Sequence, residues 1–215
     1  MVLDRHRSTV EPVLTSVAQR LTWIPPDVFT WLSLLFAFVA GVFFFYSDAA
    51  TEVVTYYLFF ASLFVFLNGL FDALDGKVAK LSGKASTKGD FLDHALDRYA
   101  DVLMVGGLAL SIWCRYPSIG LIAIVGMLLT SYMGTQAQAV GYKRKYSGLL
   151  GRADRLVLLM FAPVIHHIFL YYDVSLPWGF NLLEWVLIYF AVVGNITAVQ
   201  RFVGTLIGMN KTVKK

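Results

Sequence analysis

Residues 53–113 read VVTYYLFFASLFVFLNGLFDAL (53–74), DGKVAKLSGKASTKGDFLDH (75–94) and ALDRYADVLMVGGLALSIW (95–113). The first and third pieces are apolar runs. Each has the length of a helix that crosses a hydrocarbon core of about 30 Å, which takes roughly 20 residues. The middle piece is polar, glycine-bearing and dense in charge. Apolar runs without alternation argue for helices rather than barrel strands. Working outward, four more such runs lie at 28–46, 117–140, 154–172 and 182–208. The chain therefore reads as an all-α, polytopic membrane protein of six transmembrane helices, forming one domain over residues 1–215. Small and polar residues from Ser131 to Gln138 interrupt the fourth span.

Composition agrees. Of 215 residues, 58% are apolar and 15% charged, with a mean hydropathy of +0.65. A soluble domain carries about 45–50% apolar and about 25% charged residues, so water is the wrong solvent for this surface. The balance also excludes a disordered, fibrous or disulfide-built chain. The single cysteine, Cys114, has no partner for an internal disulfide. The charged start, Met1 to Arg7, is not followed by a short apolar core and cleavage site, so no secretory leader is expected.

Charge placement orients the spans. Arg5, Arg7 and Arg20 precede the first, and Lys77, Lys80, Lys84, Lys88 and Arg98 follow the second. Lys143, Arg144, Lys145, Arg152 and Arg155 follow the fourth, and Arg201, Lys211, Lys214 and Lys215 close the chain. Only Arg115 falls on the other side, leaving 17 of the 18 basic residues together. The positive-inside rule places that side, with both termini, in the cytoplasm, and a plasma-membrane location is expected. The basic tail suits anionic lipid headgroups rather than nucleic acid. Before the first span, Val10, Val13, Leu14, Val17 and Leu21 share a helical face. This predicts an amphipathic surface helix over 4–21, within a juxtamembrane segment 1–25, ended by Pro25-Pro26.

Of 14 acidic residues, six lie between 72 and 101. Asp72 and Asp75 are three apart at the end of span two; Asp93 and Asp97 are four apart at the start of span three. Each pair shares a helical face. If the two helices pack through the turn-rich Gly76–Gly89 segment, four carboxylates converge. Such a group at a membrane edge calls for cationic partners, and hard oxygen donors suit Mg2+ or Mn2+. Two cations about 3.5–4 Å apart would clamp a phosphoryl group. Asp90, after Gly89, reads as a helix cap, and Asp101 as the partner of Arg98. Gly76 and Gly89 allow close backbone approach, Lys80 offers a point charge, and Ser86 and Thr87 offer hydroxyls. The run Ser82-Gly83-Lys84-Ala85-Ser86 lacks the first glycine and preceding strand of a phosphate loop.

The spacing Asp72-x2-Asp75-Gly76-x2-Ala79-Lys80-x8-Gly89-x3-Asp93-x3-Asp97 resembles the signature of the CDP-alcohol phosphotransferases, with Lys80 where that family usually has Arg. The resemblance implies two divalent cations, Mg2+ or Mn2+, held by Asp72, Asp75, Asp93 and Asp97. It implies that Asp97 deprotonates the acceptor hydroxyl and that CMP leaves. It implies contacts to the CDP-linked lipid from Gly76, Lys80 and Ser86. Pro26-Asp27-Val28-Phe29-Thr30 is similar to the family's Pro-Asn-x-x-Thr, which adds Asp27 and Thr30 to that site. It also implies a homodimer.

The acceptor is read from the basic residues behind the motif. Arg152 and Arg155, in Gly151-Arg152-Ala153-Asp154-Arg155-Leu156, and Arg201, in Ala198-Val199-Gln200-Arg201, resemble the phosphate-binding segments of the inositol-phosphate branch. Ser131 to Gln138 is closer to the archaeal side of that branch. The expected reaction joins CDP-archaeol to inositol 1-phosphate, with glycerol 3-phosphate or serine as alternative acceptors. An ion-coupled transporter is the remote alternative. It would place its acids near mid-membrane rather than at the ends of spans.

Overall fold

The computed structural model describes residues 7–47, 52–142 and 148–213. Among these residues the chain is helical, without strands: α1 (Arg7–Arg20), α2 (Pro26–Tyr46), α3 (Glu52–Leu81), α4 (Thr87–Ala109), α5 (Pro117–Ala139), α6 (Arg152–Tyr171) and α7 (Leu182–Val213). Arg5, Lys143, Arg144, Lys145, Lys214 and Lys215, which entered the charge count, lie outside the described residues.

Among the described residues five helices are long and apolar enough to cross a membrane: Pro26–Tyr46, Tyr56–Leu81, Pro117–Ala139, Arg152–Tyr171 and Leu182–Asn210. The sequence reading had six. The difference is α4, which starts at Thr87 rather than at 95. Its first half carries Asp90, Asp93, His94, Asp97, Arg98 and Asp101, too much charge for an apolar span. Ser86 is its N-cap, accepting the Gly89 N–H at 3.1 Å, a place the sequence had given to Asp90.

Helix α3 also departs from expectation. It runs on past the apolar stretch to Leu81, so Asp72, Asp75, Gly76 and Lys80 stand on a continuous helix instead of at the mouth of a turn. Leu74 and Val78 sustain this extension: both are buried and cluster with Ala18, Leu14 and Leu21 at the N-terminal end of the chain. Lys77 Nζ meets Glu11 Oε1 at 2.6 Å across the same contact. The true turn is short and contains Gly83 at φ +67°, a left-handed conformation that glycine adopts without strain.

The stripe foreseen on α1 is divided. Leu14 and Leu21 pack inward, whereas Val13 and Val17 are exposed. The side chain of Val10 lies outside the described residues. Helix α1 ends at Arg20, before the proline pair. Pro26 instead opens α2, where its fixed φ suits the first helical turn.

Helix α2 packs against α3 and α4, α5 against α7 and α4, and α6 against α3 and α7. In lipid such contacts rest on close packing and internal hydrogen bonds. Gly41 and Gly107 bring the backbones of α2 and α4 into contact: a Cβ on Gly41 would strike the Leu103 carbonyl, and one on Gly107 the Gly41 carbonyl. Asn68 donates to the Ser33 carbonyl at 3.0 Å and hydroxyl at 2.9 Å, tying α3 to α2. At the end away from the aspartates, the buried Glu184 accepts from Arg115 Nη2 at 3.1 Å, and Trp113 Nε1 donates to Ser47 Oγ at 2.9 Å. Gly41→Val forces α2 off α4. It is expected to cost about 1–3 kcal/mol, as overpacked cores do, and to lower the thermal midpoint of the protein in detergent.

Candidate active site

The continuous α3 and the capped start of α4 lie side by side across the short turn. Carboxylate oxygens of Asp72, Asp75 and Asp93 come within 4.8 Å of one another. A second group on α4, Asp93, His94 and Asp97, meets the same limit. Asp75 is only 3% exposed, and its Oδ2 has no hydrogen-bond partner among the described residues. A buried carboxylate oxygen without a donor is costly. Its neighbours are two more carboxylates, so a cation relieves both the desolvation and the repulsion. All-oxygen donors at this separation fit Mg2+ or Mn2+.

A pocket opens beside this group, lined by Asp27, Thr30, Asp75, Gly76, Lys80, Ser86 and Asp93, with Lys84. A Cβ on Gly76 would meet nothing within 4 Å, so this backbone faces open space. The pocket therefore gathers every residue foreseen for the CDP-linked lipid. Asp27 carries a feature absent from the sequence reading: Lys88 Nζ stands 3.4 Å from its Oδ2. Ser86 serves both as pocket wall and as helix cap.

On the other side of the aspartates the arginines are drawn in. Arg152 Nη1 lies 2.6 Å from Asp72 Oδ2 and 2.6 Å from Asp97 Oδ1. Arg98 meets Asp97 at 3.2 Å and Asp101 at 3.6 Å, the second being the pair foreseen from sequence. Arg155 Nη1 approaches Asp101 at 2.9 Å without the alignment of a hydrogen bond. Arg201 is buried on α7 and donates from Nη1 to the Thr130 carbonyl of α5 at 2.7 Å. The structure thus brings Arg152 directly onto the aspartates and Arg155 one ion pair further off, while the described bond of Arg201 points to α5.

Three further features escaped the sequence. His94 reaches Asp93 at 3.5 Å, and its only signal was a place between two motif acids. Arg98 holds Asp97 as well as Asp101. Arg152, foreseen as a ligand of the acceptor phosphate, is bonded to two of the foreseen metal ligands.

A bundle of membrane-length helices with carboxylates and guanidinium groups gathered at one end, beside an open polar pocket, defines a membrane-embedded enzyme that handles anionic groups. The chain belongs to the CDP-alcohol phosphatidyltransferase family, whose model matches residues 23–197. It is thus a transferase of phospholipid synthesis, and its acidic cluster has the donor set for divalent cations. It is 29% identical to phosphatidylinositol phosphate synthase of Cutibacterium acnes, over 94% of this chain and 96% of that protein. It is 25% identical to archaetidylinositol phosphate synthase of Pyrococcus horikoshii, over 77% of this chain and 84% of that protein. Among solved structures it resembles phosphatidylinositol phosphate synthase of Mycobacterium tuberculosis at 25% identity. With CDP-DAG bound, that protein gives a TM-score of 0.69, covering 90% of this chain and 94% of that one. With manganese and citrate the score is 0.72, covering 90% and 88%.

Asp75→Asn removes the buried negative charge with little change of shape. Its expected effect is a loss of Mn2+ affinity of about tenfold or more, on the scale of perturbed metal sites. Titration of free Mn2+ by electron paramagnetic resonance checks it; unchanged affinity would exclude Asp75 as a ligand.

Proposed function

We propose that this enzyme transfers a lipid phosphatidyl-type group from a CDP-linked lipid to inositol 1-phosphate, releasing CMP. One observation carries the choice of a phosphorylated acceptor. Arg152 and Arg155 stand beside the aspartates with guanidinium nitrogens that are buried and unpartnered among the described residues: Nε and Nη2 of Arg152, and Nε of Arg155. Serine would offer these donors only one carboxylate, and its ammonium would add positive charge beside the arginines. A phosphate monoester offers the acceptor oxygens they lack. The relatives named for inositol phosphate products support inositol as its carrier.

In this reading Asp72, Asp75, Asp93 and Asp97 would hold two divalent cations, which would supply charge neutralisation at the pyrophosphate. Gly76, Lys80, Ser86, Thr30 and Asp27 seat the CDP moiety in the pocket that they line. Lys80 supplies a point charge in place of the bidentate fork of an arginine. Arg152, Arg155 and Arg201 hold the acceptor phosphate. Asp97 takes the proton of the acceptor hydroxyl as its oxygen attacks the lipid-side phosphorus. The bond from that phosphorus to the CMP oxygen breaks, and CMP departs with the electron pair. Positioning and charge neutralisation carry most of such a displacement.

The same proposal makes α4 the sixth span, with its charged half at the cytoplasmic edge. Both termini face the cytoplasm of the plasma membrane, and α1 lies on the lipid surface. Residues 1–215 work as one membrane domain in a homodimer. For the lipid, the likeness of Ser131 to Gln138 to the archaeal branch favours CDP-archaeol. The likeness to the M. tuberculosis synthase with CDP-DAG bound supports CDP-diacylglycerol as a second reading.

The test is CMP release by the purified protein with Mg2+ or Mn2+. Each CDP-lipid is supplied in turn with inositol 1-phosphate, glycerol 3-phosphate, serine or inositol. Release is expected with inositol 1-phosphate and absent with inositol, with Asp97→Asn lowering it at least about a hundredfold, within the range of general-base contributions. Release with serine, or equal release with inositol, would overturn the acceptor.

A further inference from the structure

One nitrogen, Arg152 Nη1, bridges Asp72 Oδ2 on α3 and Asp97 Oδ1 on α4, at 2.6 Å from each. A divalent cation shared by the same two oxygens would stand about 2.0–2.2 Å from both. It would fill the volume that Nη1 fills. The cation and the guanidinium therefore exclude each other there, by overlap and by like charge. The neighbouring group is different. Carboxylate oxygens of Asp72, Asp75 and Asp93 converge within 4.8 Å, and Asp75 Oδ2 is buried without a hydrogen-bond partner among the described residues. One cation can bind there with Arg152 in place; a cation that takes both Asp72 Oδ2 and Asp97 Oδ1 cannot.

The rest of Arg152 shows what its release needs. Its Nε and Nη2 are buried and have no hydrogen-bond partner among the described residues. Through Asp97, Arg98 and Asp101 it belongs to one charge network with Arg155. Lifting Nη1 off the two carboxylates leaves Asp72 without this cation, Asp97 with Arg98 alone, and one uncompensated guanidinium. A second cation offsets the first deficit, and an anion bound by Arg152 and Arg155 offsets the second. Either ligand alone leaves one side exposed.

We propose that Arg152 is a displaceable internal counter-ion: it closes the second cation position at Asp72 and Asp97 until an acceptor phosphate draws it away, so that the second cation and the phosphate bind cooperatively. The inference rests on the acceptor reading above and adds an order of assembly to it. Its use is physical. The cation at Asp97 arrives only when a phosphorylated acceptor is present, so the CDP-linked lipid is not exposed to a completed site with water as the sole nucleophile.

The experiment is Mn2+ binding to the full-length protein in detergent, followed by electron paramagnetic resonance, alone and with inositol 1-phosphate, inorganic phosphate or inositol. The wild type is expected to bind one Mn2+ tightly and a second at least about tenfold more weakly. Inositol 1-phosphate should tighten the second by about tenfold or more and leave the first unchanged, with no effect of inositol. By linkage, Mn2+ must tighten inositol 1-phosphate by the same factor, which the wild type alone reports. Arg152→Gln should bind two Mn2+ with similar affinity and lose the response to phosphate. Two equally tight sites in the wild type, or an Arg152→Gln protein whose second site stays as weak as before, would overturn the proposal. Failure of the acceptor reading looks different. If inorganic phosphate tightens the second Mn2+ while inositol 1-phosphate supports no CMP release, the counter-ion stands and inositol falls. If inositol 1-phosphate is turned over but never affects Mn2+ binding, the acceptor stands and the counter-ion falls.

Discussion

Six charged side chains form an alternating chain through the polar end of the bundle: Asp72, Arg152, Asp97, Arg98, Asp101, Arg155. Three helices contribute, α3 one acid, α4 three groups and α6 two arginines. In a medium of low polarity no single member is stable alone, because an isolated buried charge costs several kcal/mol or more. Each is tolerable only between its neighbours. This mutual compensation holds α6 over the ends of α3 and α4, and it brings anion-binding groups beside cation-binding ones. The other two foreseen cation ligands, Asp75 and Asp93, fall outside the chain, and that asymmetry separates the two candidate cation positions.

The network depends on helices that approach closely, and the approach is secured elsewhere. Gly41 and Gly107 let α2 and α4 touch backbone to backbone. Asn68 and Ser33 join α3 to α2. On the far side, Glu184 and Arg115 join the start of α7 to the segment that follows α4. Rigid contacts within the bundle thus leave the polar end free to carry strained electrostatics. In the charged half of α4, Asp97 and Asp101 are held by Arg98, Arg152 and Arg155 rather than by apolar contacts alone.

The sequence made the cluster legible because spacing within a helix is short-range information. Asp72 with Asp75, and Asp93 with Asp97, had to share faces once the helices were recognised. The pocket residues were legible for the same reason, since all but Asp27 and Thr30 sit within one short segment. Helix limits were less so. Hydropathy ended the second span at 74 and began the third at 95, because it reads solvent preference and not backbone conformation. What keeps α3 helical to Leu81 is the packing of Leu74 and Val78 on α1, a tertiary contact. Arg152 was visible as a cation but not as the partner of Asp72, 80 residues away. Nothing local distinguishes an arginine that waits for a phosphate from one already held by carboxylates. The pairing of Asp27 with Lys88 escaped for the same reason.

The unbroken course of α3 from the apolar run through Asp72 and Asp75 to Lys80 has a consequence for how such a chain can vary. A helix turns about 100° with each residue. A single residue gained or lost between Asn68 and Asp72 would rotate both acids away from α4 while the rest of the helix stayed in register with α2. The turn around Gly83 has no such phase to keep. Drift in chain length is therefore permitted beside the aspartates only where the backbone has already left the helix, and the membrane-crossing rod that carries them must be inherited at constant length.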